Sequence, residues 1–192
     1  TCEQGRQLPL DLPTTPRCGR EELLPAASNL AALEMIERWP DWPDRVLALI
    51  GPAGAGKSHL CAIWAARADA LVVAPDALPT LEGLVAQAPR AIVIDDIDRV
   101  ADETTLFHLL NFVNESGAFL LMSAARPPRA EDTRLPDLLS RLRRAPIVEI
   151  GAPDETLMRA VLVKLFADRQ LLVEPPALAF AALRLERSLA AA

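Results

Sequence analysis

Residues 46–58 read VLALI-GPAGAGKS, and residues 58–67 continue as SHLCAIWAAR. The first five are an apolar run closed by glycine, the signature of a buried strand. The next eight satisfy G-x-x-x-x-G-K-[ST] at every specified position. The ten after that predict a helix. Strand, glycine loop and helix in this order let backbone N–H groups and the positive end of a helix converge on phosphate oxygens. Glycine permits this because no Cβ obstructs the approach. Lys57 supplies a charge to the outer phosphates, and Ser58 a hydroxyl to Mg²⁺. The candidate nucleotide contacts are therefore Gly51, Pro52, Ala53, Gly54, Ala55, Gly56, Lys57 and Ser58, with His59 directly after them.

A second acidic element is expected opposite this loop, and residues 91–98 (AIVIDDID) provide it. Four apolar residues form a strand that delivers Asp95 to its carboxyl edge, where ligands sit in open α/β sheets. Asp95 is a candidate for holding the Mg²⁺ water shell, and Asp96 for polarising an attacking water. Adjacent carboxylates repel each other, and a nearby cation relieves that repulsion.

The rest of the chain repeats the alternation. Residues 71–74, 119–122 and 147–150 are further short apolar runs. Leu106, Leu109, Leu110 and Val113 have helical spacing, and residues 135–142 predict a short helix. Upstream, residues 28–39 predict a helix with Ala32, Met35, Ile36 and Trp39 on one face. Ser28 or Asn29 would cap it and Pro40 would end it. Strands alternating with helices mean an α/β fold with a mostly parallel sheet. After Gly151 the alternation stops: Pro153 opens one helix carrying Met158, Val161, Leu162 and Leu165, and a second starts near Pro176 and runs to the end. The expected organisation is a tail over 1–20 with an apolar patch at residues 8–12, an α/β domain over 21–151 and a small helical domain over 152–192.

Composition narrows the function. The 192 residues are 51% hydrophobic and 24% charged, enough for a full core without cross-links. The net charge of −6 lacks the general basic footprint of a chain that grips nucleic acid unaided. No stretch approaches the roughly 18 apolar residues of a membrane span. Cys2, Cys18 and Cys61 are odd in number and without metal-ligand spacing, which fits a reducing, cytoplasmic setting. No signal-peptide apolar region is visible near the first residue.

Four segments carry a family resemblance: residues 51–60 (GPAGAGKSHL), 92–97 (IVIDDI), 120–128 (LLMSAARPP) and 135–142 (LPDLLSRL). Together they resemble the Hda family, AAA+ regulators of bacterial replication initiation related to the initiator DnaA. The likeness spans about Glu21 to about Leu189. It implies a five-stranded parallel P-loop sheet with helices on both faces and an α-helical lid, binding ADP or ATP with Mg²⁺. It also implies adenine framing by Leu24 and Pro25, with Asn29 nearby, and a polar sensor at Ser123; Ala124 stands where the initiator usually has an acid. Arg141 falls where the family projects an arginine finger toward a neighbour's nucleotide, although from the residues alone it is one of a basic cluster with Arg134, Arg143 and Arg144. The lid's nucleotide-sensing arginine falls near Ala190, with Arg187 the nearest arginine. Gln7, Leu8, Leu10 and Leu12 resemble the family's peptide for the ring-shaped DNA sliding clamp, although a leucine-rich tail strapped on its own domain would read alike. The implied partners are DnaA and the clamp, with DNA reached through the clamp, no membrane, and a possible homo-oligomer. The implied role is stimulation of ATP hydrolysis on DnaA. A self-sufficient AAA+ ATPase such as a helicase loader, or a truncated initiator module, are the other readings.

Overall fold

The computed structural model describes residues 19–184 together with Ser188 and Leu189. Gln7, Leu8, Leu10 and Leu12 lie outside the described residues, as do Arg187 and Ala190. The apolar runs become five parallel strands in the order β2-β3-β4-β1-β5: β1 (Val46–Ile50), β2 (Leu71–Val73), β3 (Ala91–Ile94), β4 (Phe119–Ala124) and β5 (Ile147–Glu149). Helix α1 (Leu30–Arg38) precedes the first strand; parallel strands need crossovers, and four helices supply them: α2 (Lys57–Ala68), α3 (Leu81–Gln87), α4 (Glu103–Ser116) and α5 (Pro136–Arg144). Then α6 (Glu155–Asp168) and α7 (Pro175–Arg184) follow the last strand and pack against each other.

The central strands read as unbroken apolar runs because both faces of the sheet are covered. On one face, Ala48, Ile50, Ile92, Ile94, Leu120 and Met122 pack with α4 residues Leu106, Leu109, Leu110 and Val113 and with Leu138 of α5. On the other, Leu47, Leu49, Val93 and Leu121 meet Leu33 and Ile36 of α1 and Leu60, Cys61 and Trp64 of α2. Trp42 stacks on Trp64 with 5.0 Å between ring centroids, and its Nε1 donates to Met35 O at 2.7 Å.

Three local expectations need correction, and one helix was not expected. Neither Ser28 nor Asn29 provides a side-chain cap for α1: Asn29 is buried, its Oδ1 accepting from Ala26 N at 2.8 Å and its Nδ2 donating to Leu24 O at 3.0 Å, so it ties down the incoming chain instead. The helix expected from Pro153 starts at Glu155 because the Asp154 side chain caps it, accepting from Leu157 N at 2.7 Å. The last helix, described over Pro175–Arg184, starts where expected but does not run to the end, since Ser188 and Leu189 are not helical. Finally α3 had no counterpart in the reading of the sequence; Thr80 caps it by accepting from Gly83 N.

Leu121 is fully buried in β4, which pairs with strands on both sides. Leu121→Ala is expected to cost about 2–5 kcal/mol in a denaturant titration, because so central a site relaxes little around the cavity.

Candidate nucleotide site

Parallel pairing aligns the strand ends. Ile50 is level with Ala124, Ile94 with Met122, and Leu49 with Ser123. The residues just past those ends, Gly51, Asp95 and Asp96, therefore meet Ser123 along one edge of the sheet.

At Gly51 the chain leaves β1 so close to β5 that a Cβ would strike the carbonyl of Ile150. The loop then turns through Gly54 and Gly56, at φ +70° and +100°, a left-handed region that glycine adopts without strain. Gly56 begins α2, and its carbonyl accepts from Leu60 N at 3.2 Å. Lys57 is only 7% exposed, and its Nζ donates to the loop's own carbonyls, Gly51 O at 2.8 Å and Pro52 O at 3.0 Å. A buried ammonium satisfied by neutral carbonyls keeps its charge available to an anion. Ser58, one position on, is exposed, and His59 Nε2 lies 3.2 Å from Gly19 O.

Ser123 is fully buried and organises the acids. Its hydroxyl donates to Asp95 Oδ1 and accepts from Asp96 N at 2.8 Å. The second bond holds Asp96 in a left-handed turn at φ 54°. Asp95 Oδ1 and the Asp96 backbone N–H are thus both engaged by one hydroxyl. Beneath them the Cys61 thiol is pushed far up, first by burial and then by the charge and hydrogen bond of Asp95. It is consequently neutral and inert at physiological pH.

Two long-range features were not read from the sequence. Leu189 N donates to Gly54 O at 2.7 Å, and a Cβ on Gly54 would collide with Ser188, so residues 188–189 lie over the glycine loop. In addition, Lys164 of α6 ion-pairs with Glu22 and donates to Glu22 O at 2.9 Å, linking α6 to the segment before Leu24 and Pro25. That segment is anchored near the loop through Gly151 N, which donates to Ser28 O at 2.8 Å. The Asn29 bonds then hold Leu24 and Pro25 beside it. No local pattern announces either contact; the Lys164–Glu22 pair spans 142 positions.

Arg141 is not part of this cluster. It lies on α5, which packs on the α4 face of the sheet, whereas α2 covers the other face. A cavity of about 380 Å³ also lies on the α4 face, lined by residues including Ile97, Asp98, Met122, Arg126, Leu138 and Leu142. At its rim the Arg126 guanidinium grips Asp132 with both terminal nitrogens, at 2.7 and 2.5 Å, and holds that carboxyl below its usual range. Among the described residues no group of three or more His, Cys, Asp or Glu has the arrangement of a metal site. A cation here would therefore need phosphate oxygens and water as well as Ser58 and Asp95.

No protein-family model matches the chain. The fold, however, is that of known structures. A DNA replication initiation factor superposes with a TM-score of 0.77 at 15% identity, covering 92% of this chain and 62% of that one. Domain III of the replication initiation protein DnaA from Thermotoga maritima gives 0.71 at 19%, covering 93% and 85%. AMPPCP-bound DnaA from Aquifex aeolicus gives 0.71 at 15%, covering 90% and 62%. The chain thus spans about 62% of the first of these initiator chains and most of the isolated domain. Its five-stranded, all-parallel sheet with helices on both faces is the AAA+ fold of DnaA. Among the described residues no helix is long and apolar enough to cross a membrane.

Ser123→Ala removes the acceptor of Asp96 N and the donor to Asp95 at a fully buried position. The expected loss is about 1–3 kcal/mol in denaturant unfolding, since both partners are left unsatisfied. An unchanged midpoint would mean that Ser123 does not organise the acids.

Proposed function

We propose that this chain is a nucleotide-binding AAA+ regulator of the Hda type, which acts by stimulating ATP hydrolysis on DnaA. The observation that carries the first half is the glycine loop facing Asp95. The loop turns through left-handed glycines at Gly54 and Gly56, and Lys57 lies buried beside it with no carboxylate in bonding distance among the described residues. Those features fit a nucleotide's phosphates. ADP or ATP would lie on Gly51, Pro52, Ala53, Gly54, Ala55, Gly56, Lys57 and Ser58, with Leu24, Pro25 and His59 toward the base side. Ser58 and Asp95 would hold Mg²⁺, which when bound neutralises charge between phosphates. Asp96 would orient a water, and Ser123 would keep both acids in register. On this reading residues 21–151 are the nucleotide-binding domain and 152–192 its lid, with Ser188 and Leu189 closing on the loop.

The second half rests on Arg141. Its place on the α4 face, across the sheet from Lys57, suits action on a neighbour's nucleotide rather than its own. A guanidinium supplied in trans stabilises transition-state charge and is worth about 10³–10⁵ in rate in GTPase systems. Gln7, Leu8, Leu10 and Leu12 would tether the chain to the DNA sliding clamp in the cytoplasm, so DNA is reached through the clamp. A self-sufficient ATPase, such as a helicase loader, is the second reading. The complete set Lys57, Ser58, Asp95, Asp96 and Ser123 along one edge favours it, because a pure activator has no need of all five.

The deciding experiment follows labelled ATP on DnaA in the presence of clamp and DNA. Arg141→Ala is expected to keep ADP binding and clamp binding but to lose stimulation. Lysine is not expected to rescue it, since a point charge lacks the planar fork. Alanine at Gln7, Leu10 and Leu12 together should abolish capture by the clamp. Full conversion with Arg141→Ala contradicts the trans reading, and fast turnover by this chain alone favours the motor.

A further inference from the structure

The Arg141 guanidinium lies over the ring of Phe107, with Cζ 4.8 Å from the ring centroid. Phe107 belongs to α4 and packs, partly buried, against the core that α4 shares with α5. Among the described residues no carboxylate lies within ion-pairing distance of Arg141, and no hydrogen bond is made by its side chain. Nearby arginines differ. Arg126 grips Asp132, Arg129 pairs with Glu131 at 3.5 Å, and Arg143 Nε donates to Pro128 O at 3.3 Å.

The difference is chemical. A carboxylate would occupy N–H donors and neutralise the charge that an incoming phosphate must meet. A ring face attracts the cation through its quadrupole and uses none of its donors. All five N–H donors stay uncommitted to any partner among the described residues, while the long side chain loses rotational freedom. The platform is itself fixed. The Glu103 carboxylate at the start of α4 accepts from the Thr133 hydroxyl at 2.7 Å and from the backbone N–H of Arg134 and Leu135, pinning the chain where it enters α5.

We infer that Phe107 is a positioning residue for Arg141. It holds the guanidinium pre-oriented and unpaired at the rim, ready for the terminal phosphate of a nucleoside triphosphate on an adjacent AAA+ subunit. This rests on the trans reading of Arg141. Phe107 touches neither nucleotide nor reacting atoms; it lowers the ordering cost of the arginine in the transition state.

The test measures stimulated hydrolysis on DnaA over a range of concentrations of this chain, which separates the maximal rate from the half-saturating concentration. Phe107→Leu keeps an apolar side chain but removes the π face. It is expected to lower the maximal rate about 2–10-fold, the range of a partly exposed cation–π contact, with little change in half-saturation. Phe107→Tyr should restore the rate. Mono-, di- and trifluorophenylalanine at position 107 keep the shape while draining the ring's charge, so the rate should fall step by step at unchanged melting temperature. That series also decides the matter if Phe107→Leu fails to fold. If Arg141→Ala is inactive while Phe107→Leu and the fluorinated series match the unmodified chain, the positioning role is wrong and the trans reading stands. If Arg141→Ala stimulates fully, the trans reading fails and the inference falls with it.

Discussion

Parallel pairing of β4 with β3 on one side and β1 on the other is the constraint on which the rest depends. It sets Ile94 level with Met122 and Ile50 level with Ala124. The glycine loop and the acidic pair must then leave the sheet at one edge, with Ser123 between them. A shift of one residue in β4 would turn Ser123 away and put an apolar side chain against Asp95. The register is protected by burial, since Leu120 and Met122 face one core while Leu121 faces the other. Packing energy on both sides of the sheet therefore fixes the geometry of a polar site at its rim.

The same two-layer arrangement separates two kinds of charge. Lys57 is folded inward on the α2 side against neutral carbonyls. Arg141 sits on the α4 side against an aromatic ring. Neither cation is spent on a carboxylate, whereas Arg126, Arg129 and Lys164 all are. Pairing of those three stiffens loops and helix contacts. On the proposed function, leaving the other two unpaired would preserve their pull on phosphate, Lys57 toward the chain's own loop and Arg141 toward a neighbour.

Much of this was legible in the residues, for identifiable reasons. The strands are short apolar runs, most of them ended by glycine, acid or proline, so all five were located to within a few positions. The glycine loop was legible because its chemistry demands particular residues at particular spacing. Helix α3 was missed because its seven residues include Gly83 and bury only Leu84, too little for a helical period to emerge, although Thr80 was an available cap signal. Asn29 was misread because a cap and a side chain tying down the preceding chain share the same residue type. The approach of Ser188 and Leu189 to Gly54 depends on how α6 and α7 pack, and no local pattern encodes it. Arg141 was picked out only by resemblance; its ring partner on α4 lies 34 positions earlier in the sequence.

The central claim is that the loop between β1 and α2 is a phosphate cradle, and amide hydrogen exchange tests it most directly. Exchange is compared across the chain with and without saturating Mg-ADP. The account predicts slowed exchange at the amides of residues 54–58 and at Leu189, because phosphate oxygens accept from the loop and the segment above it is held. Unchanged exchange throughout the loop at saturating nucleotide would contradict it.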